Sequence, residues 1–319
     1  MRTVSGAELR SVLHHRMLVE RLRQSFRAGV ETPPAHRHRV ETYGTSDAAL
    51  LLAPAWQVNQ ALGVRIDTVF PDNAGSDLPQ SQGVYLLIDG KTGVPQVLMD
   101  SSATLGRRSG AASSALAASY LARPDAERML VVGTGPLALE LVEAHTAVRP
   151  LRHVLVWGRD PQKARKLAAR FHRPKFRIEA TADLEGAVRG ADIIVCATAA
   201  RDPLIRGDWL QPGQHLDLLG GVTPEMREAD DECVRRARVF VDSRDRTQVE
   251  AGDIAQPVAA GVLTPDDIAG DLFELGRGER AGRRFYDQIT LFKSVGTALA
   301  DLCAARLATE MVLHNDSIR

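Results

Sequence analysis

The spacing of hydrophobic positions in the first hundred residues indicates one helix followed by several strands. Residues 7–27 place Leu and Val side chains three and four apart, which predicts one amphipathic helix before the turn at Gly29. From there to Asp100, apolar or alternating runs are separated by turns rich in Gly, Asn and Pro. The expected strands are Ala49–Ala53, Gly63–Phe70, Gly83–Asp89 and Val94–Met99, and the last two form a hairpin.

A different pattern follows, in which apolar strand-like runs alternate with helical ones. Strands are expected at 129–132, 153–157, 193–197, 215–219 and 239–241, and helices at 109–121, 136–148, 161–171 and, last, 289–312. This alternation is typical of a doubly wound parallel sheet. The predicted fold class is therefore α/β, a Rossmann-type unit combined with a second, α+β unit.

Composition narrows the class of protein. A length of 319 residues suggests about two domains. Because 40 Lys and Arg balance 40 Asp and Glu, neither nucleic acid nor an anionic membrane is an expected partner. Three scattered cysteines and the absence of a long apolar run favour a cytoplasmic protein without a membrane span, and the Cys and His spacings predict no metal site. Of the cations, 35 are Arg, so guanidinium groups should bind most anions.

The strongest motif is Gly-x-Gly-x-x-Ala at residues 133–138, where a predicted strand turns into a helix. Glycines permit a tight turn and a close approach of backbone to a pyrophosphate, and the helix N-terminus offers N–H groups to its charge. The motif therefore predicts a dinucleotide site. The residues expected to hold the cofactor there are Gly133, Thr134, Gly135, Pro136 and Leu137.

The end of the next strand bears on the choice of cofactor. An NAD-selective site would carry an acid here for the ribose 2′-hydroxyl, whereas this chain has Gly158 followed by Arg159, which could meet a 2′-phosphate. We therefore favour NADP(H), with NAD(H) possible because Asp160, the expected helix N-cap, could still turn towards a ribose. Arg107 and Arg108 precede another helix start, in a stretch without acidic residues, and predict a second anion site.

Six segments, in order, resemble the ornithine cyclodeaminase/μ-crystallin family, and the likeness extends from about Leu50 to Leu307. They are Pro-Ala-Trp at 54–56, Gly-Val-Arg-Ile-Asp at 63–67 with its continuation to 73, Arg-Ser-Gly-Ala at 108–111, Gly-Thr-Gly at 133–135, Gly-Gly-Val-Thr-Pro-Glu at 220–225 with its continuation to 228, and Ile-Thr-Leu-Phe-Lys-Ser-Val-Gly at 289–296.

The resemblance implies hydride exchange between a nicotinamide and the Cα atom of an amino acid or cyclic imino acid, whose carboxylate is clamped by basic residues. Arg108 matches the family's carboxylate-binding Arg, and Ser109 stands at the neighbouring Thr. Either Arg37 or Arg39 should match a substrate-binding Arg near the N-terminus, and we prefer Arg37. Arg65 stands where the family has a substrate-binding Lys.

The family's cofactor side implies further residues and an assembly. The positions that match the nicotinamide side or lie in the closing motif near the cofactor are Thr198, Gly220, Gly221, Lys293 and Ser294. Members are typically homodimers in which a Rossmann domain is inserted into a substrate-binding and dimerisation domain. We therefore expect residues 120–288 to form the dinucleotide domain, and residues 1–119 with 289–319 to form the other.

Three departures from the family pattern decide between activities. Val222 replaces the catalytic Asp of a cyclodeaminase and cannot transfer a proton. Arg65, with a pKa above about 12, can bind a carboxylate but is no base. Leu105 stands where Thr is usual, with Thr104 one position away.

These departures favour an NAD(P)H-dependent reductase of a cyclic imino acid such as Δ1-pyrroline-2-carboxylate, or a dehydrogenase of an α-amino acid. Reduction of a protonated imine needs a hydride and a bound carboxylate, whereas cyclisation of ornithine needs an acid or base to handle the amine and the ammonia. Two alternatives stay open. One is ornithine cyclodeaminase itself, and the other is a non-catalytic, NADPH-dependent ligand-binding protein like μ-crystallin.

Overall fold

The computed structural model describes residues 1–30, 32–44, 46–171, 175–244, 247 and 251–318. These divide into two compact units, Met1–Gly110 with Thr297–Arg319, and Ala111–Gly296. The first unit contains a six-stranded sheet in the order β1-β6-β5-β4-β3-β2, antiparallel except for the β1–β6 pair. Its strands are Arg2–Val4 (β1), His36–Val40 (β2), Ala48–Gln57 (β3), Ala61–Val69 (β4), Ser81–Asp89 (β5) and Pro95–Asp100 (β6).

The helices of the first unit include both ends of the chain. They are Gly6–Val12 (α1), His15–Ala28 (α2), the start of Gly106–Leu121 (α3), which follows a π-helical turn at Ser101–Leu105, and Ala298–Ile318 (α10). The single helix predicted over residues 7–27 is wrong, because the chain leaves helical geometry at Leu13 and His14 and starts again at His15. The carbonyl of Leu13 then accepts a hydrogen bond from Arg108 instead of continuing a helix.

The second unit contains an eight-stranded, wholly parallel sheet in the order β13-β12-β14-β11-β10-β7-β8-β9. Its strands are Arg128–Val132 (β7), His153–Trp157 (β8), Arg177–Thr181 (β9), Ile193–Cys196 (β10), His215–Leu218 (β11), Arg238–Val241 (β12), Gly270–Asp271 (β13) and Thr290–Lys293 (β14). Its helices, besides the rest of α3, are Pro136–Thr146 (α4), Pro161–Ala168 (α5), Leu184–Gly190 (α6), Asp231–Arg236 (α7), Gly252–Ala259 (α8) and Leu272–Arg277 (α9). Short 3₁₀ turns lie at Pro71–Gly75, Gly207–Trp209 and Pro265–Asp267.

The predicted α/β fold class with a doubly wound parallel sheet is confirmed. Strand β10 is buried throughout and β7 is buried after Arg128, which explains their apolar sequences, and β11 is buried although it carries His215 and Asp217. The prediction of one helix over 289–312 is wrong at its start, because Thr290–Lys293 is a buried strand between β11 and β12. Short strands with exposed or mixed patterns, β1, β2 and β9, carried no clear signal and were missed.

The unit boundaries fall at 110/111 and 296/297 rather than at the expected 119/120 and 288/289. Strand β14 belongs to the parallel sheet, which moves the second boundary towards the C-terminus. The substrate and cofactor roles of the two units stay predictions. Across the described residues, no helix has the length and apolar character needed to cross a bilayer.

Candidate functional site

The turn between β7 and α4 has the geometry of a phosphate-binding loop. Gly133 adopts φ +129°, and a Cβ atom there would lie 2.5 Å from the carbonyl oxygen of Ala197. Gly135 is the N-cap of α4, without a side-chain cap, and a Cβ atom on it would meet nothing within 4 Å. Pro136 begins the helix at the position where a missing N–H costs nothing. Backbone can thus approach a pyrophosphate in front of the helix end.

The neighbouring strand β8 is followed by a small residue, Gly158, and an exposed cation, Arg159. A Cβ atom on Gly158 would lie 2.5 Å from the Cγ2 atom of Thr134, so any larger residue would press on the phosphate loop. Arg159 is exposed. The carboxylate of Asp160 accepts hydrogen bonds from the backbone N–H groups of Gln162 (2.9 Å) and Lys163 (3.4 Å), so it is used as the N-cap of α5. One oxygen of the acid considered for a ribose hydroxyl, Oδ1, is therefore already engaged.

The carboxyl ends of β10 and β11 are joined by one buried carboxylate that sequence reasoning did not place in the site. Oε1 of Glu228 accepts hydrogen bonds from the backbone N–H (2.7 Å) and hydroxyl (2.8 Å) of Thr198, which follows β10. Its Oε2 accepts from the backbone N–H of Gly220 (2.8 Å), which follows β11. Burial, followed by the charge of Asp253, raises the pKa of Glu228 to about 7, against the opposing effect of Lys293.

A buried ion pair lies directly beside this carboxylate. Lys293, at the end of β14, is fully buried; its Nζ lies 2.9 Å from Oδ2 of Asp253 and also donates to the carbonyl of Gly220. Oδ1 of Asp253 accepts from the backbone N–H of Glu228 at 2.7 Å. Gly221 has φ +58°, and a Cβ atom there would lie 2.5 Å from Asp253. Lys293 therefore supports the loop through Gly220 instead of presenting its charge to solvent.

Ser294 has a similar supporting role at the next strand end. Its hydroxyl donates to Oδ2 of buried Asp242 at 2.8 Å, and the same oxygen accepts from the backbone N–H groups of Val295 and Gly296. Asp242 follows β12, so this carboxylate connects the ends of β12 and β14. Contact of Lys293 or Ser294 with the cofactor stays a prediction.

In the first unit, Arg65 is already paired with two carboxylates. Its Nε lies 2.5 Å from Oδ2 of Asp67, and its Nη1 lies 3.1 Å from Oδ2 of Asp301 on α10. The hydroxyl of Ser109 donates to the other oxygen of Asp301, and Ser101 donates to Asp67 at 2.7 Å. The neighbouring carboxylates raise the pKa of Arg65 further, against the opposing effect of burial, so it is a permanent cation.

The other predicted substrate residues lie in two different environments. Arg108 lies near the start of α3, is nearly completely buried, and donates from Nη1 to the carbonyl of Leu13. Arg37 is exposed on the edge strand β2, whereas Arg39 on the same strand forms an ion pair with Asp47 at 2.6 Å. This leaves Arg37 as the preferred candidate.

The departures noted in the sequence have structural counterparts. Val222 is 49% exposed, so no buried network depends on it. Leu105 is buried, and the hydroxyl of buried Thr104 donates to the carbonyl of Gly6 at 3.2 Å. Thr104 therefore serves the attachment of α1.

Comparison with known proteins identifies the relatives of this chain. Residues 3–316 match the Ornithine cyclodeaminase/mu-crystallin family. The chain belongs to this family. The prediction of this family from six motifs is confirmed.

Individual family members show what such chains do elsewhere. A Δ1-pyrroline-2-carboxylate reductase of Paracoccus denitrificans is 40% identical over 294 residues, which is 92% of this chain and 91% of that protein. The Thermococcus litoralis Δ1-pyrroline-2-carboxylate reductase, solved with NADH and L-proline, has a TM-score of 0.92 at 30% identity and covers 99% of this chain and 98% of its own. An archaeal alanine dehydrogenase dimer with bound NAD has a TM-score of 0.89 at 25% identity, with 99% and 97% covered.

Proposed function

We propose that this family member is an NAD(P)H-dependent reductase of a small cyclic imino acid, with Δ1-pyrroline-2-carboxylate as the first candidate substrate. The proposal is carried by Val222, which stands at the position of the cyclodeaminase acid, in a chain that keeps the dinucleotide turn and the buried Arg108. The Paracoccus and Thermococcus relatives, both Δ1-pyrroline-2-carboxylate reductases, support it. An oxidoreductase acting on a CH–NH group is also the enzyme class that the sequence predicts.

The second unit fits a nicotinamide dinucleotide. Gly133 and Gly135 provide the close backbone approach that a pyrophosphate requires, and the uncapped start of α4 provides N–H donors. Thr198 and Gly220 lie at the ends of the next strands of the sheet. When bound, the reduced cofactor supplies a hydride for the imine carbon.

The first unit provides the fixed positive charge that an imino acid needs. A planar guanidinium binds a carboxylate through two parallel hydrogen bonds, and we assign this role to Arg108, with Arg37 as the second candidate. Arg65 is the third candidate, but its pairing with Asp67 and Asp301 offsets its charge, so it contributes no net positive charge there. Holding the carboxylate fixes the substrate Cα, which is where the new C–H bond forms.

Reduction of an imine makes few demands on proton transfer. Imine nitrogen is more reactive towards hydride when protonated, and the substrate can bring this proton or take it from water. Ornithine cyclisation would require an acid or base beside the substrate amine, and Val222 cannot serve as one. The reductase is therefore better supported than the lyase.

Three finer points belong to the same proposal. We favour NADP(H) because Arg159 is exposed after β8, where a 2′-phosphate is expected, while one oxygen of Asp160 is used as an N-cap. NAD(H) is the other cofactor, which the Thermococcus and archaeal relatives bind. We propose a homodimer, as in the alanine dehydrogenase relative. Three free, buried cysteines suit the reducing cytoplasm.

A turnover screen tests this proposal. Purified protein is mixed with NADPH or NADH and with Δ1-pyrroline-2-carboxylate, Δ1-piperideine-2-carboxylate, or pyruvate plus ammonia, and absorbance at 340 nm is followed. We expect loss of absorbance with a cyclic imine. Ammonia release from ornithine with catalytic NAD would instead identify a cyclodeaminase, and cofactor binding without any turnover would identify a ligand-binding protein.

A further inference from the structure

We propose that Glu228 is a positioning residue for the nicotinamide end of the cofactor, because its carboxylate ties together the two loops expected to contact the nicotinamide ring. This inference rests on the proposed function insofar as a nicotinamide dinucleotide must bind. It assigns a role to a carboxylate that the hydride-transfer chemistry does not itself use.

The hydrogen bonds of Glu228 connect the loop after β10 with the loop after β11. One carboxylate accepts three donors, two from Thr198 after β10 and one from Gly220 after β11. These strands are neighbours in the parallel sheet, with Cys196 opposite Leu218 at their ends. Since β10 and β11 diverge into separate loops beyond these residues, Glu228 sets the spacing between those loops.

A second layer keeps Glu228 itself in place. Its backbone N–H and that of Ala229 donate to Oδ1 of Asp253, whose other oxygen is paired with Lys293. Lys293 also donates to the carbonyl of Gly220. The ends of β10, β11 and β14, three consecutive strands, are thereby connected through one buried network of charged groups.

Strand order indicates which end of the cofactor this network faces. The pyrophosphate turn follows β7, and Arg159 follows β8 on one side of it. A dinucleotide lies across the carboxyl edge of such a sheet, with its halves on opposite sides of the first strand. The adenosine half belongs to the β8 side, so the nicotinamide half belongs to the side of β10 and β11.

The positioning role of Glu228 requires the ionised form, because an ionised carboxylate accepts hydrogen bonds from all three donors and carries no proton of its own. The charged or titratable groups that act on it are Asp253, Lys293, Asp217 and Cys196. Burial raises the pKa of Glu228 to about 7. We therefore expect the hydrogen bonds from Thr198 and Gly220 to Glu228 to weaken as the pH falls below about 7.

The test compares NADH with ADP-ribose, which lacks only the nicotinamide ring, in the wild-type protein and in E228Q. An amide of the same shape must turn its NH₂ group towards either the two donors of Thr198 or the N–H of Gly220, so at least one donor loses its acceptor. We expect the Kd of NADH to rise by about tenfold or more while the Kd of ADP-ribose changes by less than about twofold. The control is E232Q, an exposed Glu on α7 four residues away, which should leave both values unchanged.

Measuring the Kd of NADH and of ADP-ribose over a range of pH distinguishes a positioning role of Glu228 from a purely structural one. In the wild-type protein the preference for NADH over ADP-ribose should fall below a midpoint near pH 7, and in E228Q it should be weak and independent of pH. If E228Q does not fold, T198V removes one of the three donors and should weaken NADH alone by a few-fold.

Two results would overturn the inference. One is an E228Q or T198V protein that binds both ligands like the wild type, and the other is an equal loss of both ligands. A wild-type protein that reduces no imino acid but shows the expected NADH selectivity would refute the proposed substrate while leaving the role of Glu228 intact. A wild-type protein that binds neither ligand would refute both.

Discussion

Replacing Arg65 with Met removes the guanidinium that pairs with both Asp67 and Asp301. The two carboxylate side chains are 9% and 7% exposed, so neither can regain full hydration. Leaving a buried charge without its partner costs about 3–5 kcal/mol. Hydrogen bonds from Ser101 and Ser109 remain and lower this cost, so we expect R65M to lose about 3 kcal/mol of unfolding free energy.

Urea unfolding followed by circular dichroism measures this loss. D301N in the R65M background removes one of the stranded charges and should restore part of the stability, which gives a positive coupling in a double-mutant cycle. The matched control is R23M, because Arg23 pairs with Glu20 on the surface of α2, and it should cost less than about 1 kcal/mol. A stable R65M protein with no coupling to D301N, but with a raised KM for the imino acid, would show that Arg65 is a substrate cation only.

Three further predictions concern the second unit. R159A should weaken NADPH binding by about tenfold or more and change NADH binding little, because it removes a charge-assisted contact to the 2′-phosphate; equal effects in a titration with both cofactors would refute that role. G133A should abolish cofactor binding or folding, because residue 133 has φ +129° and its Cβ atom would lie 2.5 Å from the carbonyl oxygen of Ala197. A G133A protein that binds NADH normally would contradict the geometry of the turn. Burial raises the pKa of Asp217 to about 7 despite its hydrogen bond from Ser114. The unfolded chain therefore releases this proton at a lower pH than the folded protein does. The free energy of unfolding should fall as the pH rises from about 4 to about 7. Between pH 5 and pH 8 this fall amounts to about 2.5 kcal/mol, because only about two of the pKa units lie in that range. D217N should remove up to that amount in urea unfolding at the two pH values, and an unchanged difference would be evidence against the assignment.

Local patterns in the sequence predicted much of the fold. The alternation of buried strands and helices identified the parallel sheet, and the turn at Gly133 was visible because its glycines and following helix are contiguous. The helix break at Leu13 could not be predicted, because the helical spacing of apolar residues continues through it. The hydrogen bond to the Leu13 carbonyl comes from Arg108, which is far away in the sequence.

Charge pairing explains most of what the sequence did not reveal about the site. Asp301 lies 236 positions from Arg65, and Asp253 lies 40 positions from Lys293, so no spacing rule connects either pair. The sequence shows Glu228 only as the last residue of the motif that begins at Gly220. Its hydrogen bonds to Thr198 and Gly220 depend on the approach of two strand ends, which a hydrophobic pattern does not specify.

The proposed function depends on hydride transfer from a free reduced cofactor to the Cα atom of a cyclic imino acid. Incubation of the protein with Δ1-pyrroline-2-carboxylate and NAD(P)H fully deuterated at C4 tests it directly by mass spectrometry of the product. We predict proline carrying one deuterium at Cα, formed in equal amount to the cofactor oxidised. Unlabelled proline, or no proline from the imine while ornithine yields proline and ammonia, would contradict the account.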